Sequence, residues 1–205
     1  MTPFRKQLFL VIALVIVAVE SFSLVTKEVK HQELIAELHV RDEAPFRLGE
    51  RTKETGCQVR GPLPDPDCTP GSIFPDATAE ITCVSGYTKT VRNVSTKLKK
   101  QVYASYGVPY PQPRGTYEAD HLIPLALGGD NDIANLFPES GNTTPGFREK
   151  DIVENYLRGE VCDGRVSLKS AQMQIAENWV AVYDKLTPSD ITRIKNMFKN
   201  SYGTP

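Results

Sequence analysis

The residues of this chain whose types and spacing best suit chemistry lie in "YEADHLIPLALGGDNDIANLFPE", Tyr117 to Glu139. His121 is the only histidine beyond residue 39, and it directly follows Asp120. On a strand, adjacent side chains leave opposite faces, so this carboxylate and imidazole do not simply pair with each other. They make sense as two contributions to one reaction centre: Asp120 holding a hard divalent cation, His121 taking a proton from water. Imidazole suits the second task because its ordinary pKa of about 6.5 leaves it neutral and basic near physiological pH. A neutral imidazole must also be held in one tautomer, usually by a carbonyl or amide acceptor on its other nitrogen. Asn135, placed after the "GGDND" turn, is expected to supply that acceptor. The alternatives are a satisfied core histidine, a turn amide at Asn135, and a tight turn or weak calcium loop in "GGDND".

The string "DHLIPLALGGDNDIANL" resembles the HNH endonucleases, the His-Me finger or ββα-metal nucleases. The resemblance runs from Tyr117 to Leu157, and the wider run through "VCDGRVSLKSAQMQIAENWV" is similar to a bacterial, often exported, subgroup. It implies a core built from a strand ending in Asp-His, a Gly-Gly loop, an Asn-Leu pair and a following helix. By the same resemblance Asp120 is a metal ligand, His121 the general base and Asn135 the residue that orients it. The implied reaction is metal-dependent hydrolysis of phosphodiester bonds in DNA and/or RNA. Mg²⁺, or a similar ion such as Mn²⁺, would bind the scissile phosphate and stabilise the leaving 3′-oxygen.

The sequence departs from that pattern at the third position, where the family commonly places an Asn or His ligand near the start of the helix. No histidine follows His121, and the candidates are Asn142, Glu149, Asp151 and Glu154. Lys150 and Glu154 are four apart on the predicted helix and share a face, so both could point back at the strands. Glu154 is expected as the second ligand and Lys150 as a member of the catalytic group, with a plain surface ion pair as the alternative. A non-catalytic exported binding module on the same scaffold is the rival to the whole functional reading. A hydrolase of a different phosphodiester or of a small nucleotide, which would leave polymers intact, is another.

Several elements must position these groups. From Ser95, "STKLKKQVYASYG" predicts a helix with Ser95 as N-cap, Leu98, Val102 and Tyr106 at four-residue spacing, and Gly107 as terminator. The opening stretch predicts two short strands joined by a turn. A helix from about Phe147 to Arg158 follows the "SGNTTPG" loop. A longer one begins at Ser167, with a core-facing stripe of Leu168, Ala171, Ile175, Trp179, Val182 and Leu186. The last opens on "TPSD", where Thr187 caps, Pro188 fills the first position and Asp190 completes a capping box. The expected fold is α+β: a small ββα-metal core with additional helices packed around it, stapled by disulfides.

With 24 basic and 25 acidic residues among 205, the net charge of −1 carries no global signature of a nucleic-acid binder. Polyanion binding must therefore rest on a local patch. Thr88 to Gln101 is the candidate, because it holds Lys89, Arg92, Lys97, Lys99 and Lys100 with no acid. Its alternative is a solvated helix face. No base-reading element is evident, so little sequence specificity is expected.

Arg5 and Lys6 precede the apolar run Leu8–Val19, the plan of an export signal. A signal peptide or membrane anchor is expected over residues 1–26, with residues 7–26 as the possible anchoring segment. Residues 27–56, carrying His31 and His39, read as an amphipathic stalk or linker, and residues 57–205 as the nuclease domain. Either reading of the amino terminus places the domain outside the cytoplasm, secreted, periplasmic or anchored. Four cysteines without Cys-x-x-Cys pairs favour disulfides over zinc. They permit three connectivities. The expected pairs are Cys68 with Cys83, which flank a Pro/Gly-rich loop, and Cys57 with Cys162.

Overall fold

A computed structural model of the chain describes residues 25–33, 48 and 50–198. Most of the expected signal or anchor (residues 1–24) and the middle of the expected stalk (residues 34–47 and 49), with His39, lie outside the described residues. Residues 25–33 form helix α1, in a unit of the chain separate from the one that begins at Leu38. Among the described residues no helix is long and apolar enough to cross a membrane.

The second unit mixes helices with one two-stranded antiparallel sheet. Two short helices, α2 (Ala79–Thr82) and α3 (Tyr87–Val91), precede α4 (Thr96–Ser105). As the sequence predicts, Ser95 caps α4 by accepting the Leu98 N–H at 3.1 Å, and Gly107 ends it in the left-handed region at φ 65°. Strand β1 (Tyr117–His121) pairs with β2 (Leu136–Ser140) so that Asp120 lies opposite Phe137 and His121 opposite Leu136. Helix α5 (Phe147–Cys162) follows, its Glu149 carboxylate accepting the Gly146 N–H at 2.9 Å. Then come α6 (Leu168–Tyr183), interrupted by the extended Asn178, and α7 (Pro188–Met197), opened by the Thr187/Asp190 capping box.

The sheet divides the packing. On one face Val102, Tyr103 and Leu136 are buried among Leu98, Tyr117, Ala119 and Ile133, joining α4 to the strands. Elsewhere α5 packs on α6, with Ile152, Val153, Leu157, Ala171, Ile175 and Trp179 essentially sealed from water. The predicted stripe is thus core from Ala171 down to Val182 and Leu186, while Leu168 at its start is half-buried. Each buried Val, Leu or Ile side chain among these contributes roughly 1.5–3 kcal/mol by leaving water.

The disulfides correct the expected pairing: Cys57 bonds Cys68, and Cys83 bonds Cys162. The reason is local for the first pair. Asp65 accepts hydrogen bonds from the Gln58 and Asp67 N–H groups and from Lys53 Nζ, folding "CQVRGPLPDPDC" back on itself and bringing its two ends together. The loop after Cys68 leads away, because Ile73 bridges to Gly129 and α2 then carries Cys83 to α5. There Arg158 donates to the Cys83 carbonyl at 3.2 Å, beside Cys162. Chain-entropy reasoning gives about 3 kcal/mol for the short loop and about 4.5 kcal/mol for the long one. Two disulfides agree with an oxidising, extracytoplasmic setting.

Candidate functional site

Alternation along β1 sends Glu118 and Asp120 to one face and His121 to the other. Asp120 meets α5. Lys150 is fully buried, and its ammonium donates to Asp120 Oδ2 at 2.7 Å, to the His121 carbonyl oxygen at 2.7 Å and to Glu154 Oε1. Three N–H donors have three acceptors, so the charge is fully satisfied. Lys150 therefore clamps the end of β1 to α5, with its ammonium turned inward and not outward as expected of a catalytic group.

Glu139, opposite Glu118 on β2, is also buried and adds a second carboxyl beside Asp120. One ammonium cannot keep every carboxylate here ionised. Burial is the largest influence on Asp120 and works against its ionised form, but the Lys150 charge, the hydrogen bonds with Glu139 and Lys150 and the nearby His121 together outweigh it and hold the carboxyl down at about 2. Burial pushes Glu139 well above the usual carboxylate range, and it pushes Glu154 up to about 7 and Asp151 up to about 8, with neighbouring carboxylates adding to both. Lys150 stays charged because the carboxylates around it outweigh its desolvation.

His121, 2% exposed, meets Asn131: its Nε2 lies 3.3 Å from Asn131 Oδ1. Burial lowers the imidazole pKa below its ordinary value, against the opposing pull of Asp120 and Asn131. The expected orienting contact from Asn135 is not made. Asn135 is fully buried and spends its amide on the backbone, accepting the Ile123 N–H at 2.9 Å and donating to the Ile123 and Asp130 carbonyls at 2.9 Å each. It holds the loop that carries Asn131, and so acts on His121 at one remove. The two glycines fit that loop tightly. Gly128 sits at φ 77°, and a Cβ on Gly129 would fall 1.8 Å from the Ile123 carbonyl oxygen.

The site can be tested for a divalent cation through its donors. Asp120 keeps 26% of its side chain exposed, and Mg²⁺ commonly takes one or two carboxylates plus waters and substrate phosphate. Asp120 fits that role. Glu154 does not fit the expected one, because the Lys150 ammonium lies between it and Asp120. Among the described residues no group of three or more His, Cys, Asp or Glu side chains is arranged to hold a metal.

Of the basic segment, Lys89, Arg92, Lys97 and Lys100 are exposed and Lys99 is half-buried. Only the charge of Arg92 is felt at the site, by His121, Glu118 and Glu154. Lys100 lies 6.0 Å from the centre of the Tyr110 ring. Sequence reasoning missed two residues, Asn131 and Glu139. Strand alternation could have found Glu139, which shares a face with Phe137 and hence with Asp120 across the ladder; nothing in the turn sequence singles out Asn131. No protein-family model, curated protein or solved structure matches this chain.

Proposed function

We propose that this chain is an exported, metal-dependent endonuclease of the His-Me finger type, hydrolysing phosphodiester bonds of DNA and/or RNA with little sequence specificity. The observation that carries the reading is the end of β1. Its Asp120 faces a helix-borne lysine and its neighbour His121 faces an amide acceptor, with β2 and α5 completing a strand–strand–helix unit. His121 would accept the proton of the attacking water. Asp120 would hold the divalent ion, which supplies charge stabilisation at the phosphate and the leaving 3′-oxygen. Lys150 would fix Asp120 and the His121 backbone so that neither must reorganise, and Arg92 would contact a phosphate of the substrate.

The test is incubation of the full chain with plasmid DNA and with RNA, in Mg²⁺, in Mn²⁺ and in chelator, beside His121→Ala. Cleavage that needs metal and disappears in the variant is expected. Cleavage that survives His121→Ala would remove the proposed base. One observation favours a second reading, a non-catalytic binding module: the Lys150 ammonium already neutralises Asp120. That reading gives no cleavage under any metal.

A further inference from the structure

The orientation of the Asn131 amide is dictated by two partners other than His121. Its Nδ2 donates to the Val91 carbonyl oxygen at 2.8 Å, and its Oδ1 accepts the Asn93 N–H at 3.1 Å. Rotating the amide by half a turn would set an NH₂ against an N–H and a carbonyl against a carbonyl, losing both bonds. The atom presented to His121 Nε2 is therefore an oxygen. An oxygen with no hydrogen can only accept, so Nε2 must carry the proton, and in the neutral ring the lone pair then resides on Nδ1. The His121 ring makes no other hydrogen bond among the described residues.

From this geometry we infer that Asn131 is a positioning residue that fixes His121 in the Nε2-protonated tautomer, leaving Nδ1 as the nitrogen that takes a proton from water. The tautomer follows from the hydrogen bonds alone; the proton transfer rests on the nuclease reading above. The two backbone groups that hold Asn131 belong to the residues on either side of Arg92, at the end of α3. The segment offered to a phosphate thus also sets the base, so a shift of one is transmitted to the other through a single amide.

Nitrogen-15 labelling of histidine in the full chain carrying H31Q and H39Q leaves His121 as its one imidazole, since the sequence has three histidines. Long-range proton–nitrogen correlation at neutral pH then reads both ring nitrogens without requiring activity. The expected spectrum shows a protonated Nε2 and an unprotonated Nδ1. Asn131→Leu should yield signals averaged between the two tautomers, and Asn131→Asp, which keeps an acceptor oxygen, should restore the original pattern. A protonated Nδ1 in the parent chain, or an unchanged pattern in a folded Asn131→Leu, overturns the inference. In cleavage assays Asn131→Leu should lower kcat about 10- to 100-fold with KM little changed, as for other groups that orient a functional imidazole. Unchanged kcat would overturn the positioning role. Absence of cleavage by the parent chain, with the expected tautomer present, would instead overturn the nuclease reading and leave the tautomer assignment standing.

Discussion

Lys150 Nζ and Asp120 Oδ2 lie 2.7 Å apart, and the ammonium between strand and helix has no exposed surface. Removing one partner of such a pair strands the other charge in a dry site, at a cost of about 3–5 kcal/mol. Lys150→Met should therefore lower unfolding stability by about that amount in urea titrations. Adding Glu154→Gln to it should recover part of the loss, because one fewer carboxylate is left uncompensated. Equal stability of the parent and Lys150→Met would show that the clamp is not a structural element.

Gly129 faces the Ile123 carbonyl so closely that no side chain can be accommodated. Gly129→Ala should displace the loop that Asn135 holds and cost more than Gly159→Ala, where a Cβ meets nothing within 4 Å. The second change should be neutral or slightly stabilising, since alanine is the better helix former by roughly 1 kcal/mol. Thermal melts of the two variants check both.

The two disulfides differ in exposure. Cys57 and Cys68 are buried, whereas Cys83 is half-buried and Cys162 exposed. Stepwise reduction with trapping of free thiols and peptide mass spectrometry should find Cys83 and Cys162 alkylated first. Simultaneous release of all four would contradict the ordering.

Asp65 supplies the acid-sensitive contact of the region ahead of α2. Burial pushes its carboxyl up, but the hydrogen bonds from the Gln58 N–H, Lys53 and the Asp67 N–H outweigh it and hold the pKa below the ordinary value. A depressed pKa in the folded state means that ionised Asp65 stabilises the fold above its unfolded value of about 3.9. That stability is lost as pH falls through the folded value. Asp65→Asn should accordingly be less stable than the parent at neutral pH, with the difference shrinking in acid. A constant difference across the titration would exclude linkage to this group.

If the basic segment binds substrate, cleavage should decline with added salt, and Arg92→Ala should flatten that decline and raise KM. Lys97→Ala and Lys100→Ala, on α4 and without resolved influence at the site, should have smaller effects. Initial rates on one DNA substrate over a salt series separate the cases.

Much of the scaffold was legible because it depends on periodicity and caps. The stripe from Ala171 to Leu186, the Ser95 cap, the Thr187 capping box and the strand pair all rest on local rules. The divergence of Asp120 and His121 was likewise a matter of strand alternation. What eluded sequence reasoning depends on long-range juxtaposition. The partner of Asn131 is the backbone of Val91, 40 residues earlier, and Cys83 meets a cysteine 79 residues later. Lys150 and Glu154 were rightly placed on one helix face, but only the depth at which α5 packs shows that the lysine reaches Asp120 and occupies the space between the two acids. Asn135 lies in the expected neighbourhood but makes backbone contacts and not the imidazole contact, since its residue type fits loops as well as imidazoles.

The opposite facing of Asp120 and His121 also bears on how such a protein can change over generations. The charge-holding layer of α5 and the layer of α3 and α4 meet through the backbone of two consecutive residues. If the basic segment binds substrate, substitutions around Arg92 can alter that binding without touching Lys150 or Glu154, and the reverse holds for the acids. The two layers can thus be altered separately, with the short strand as the seam between them.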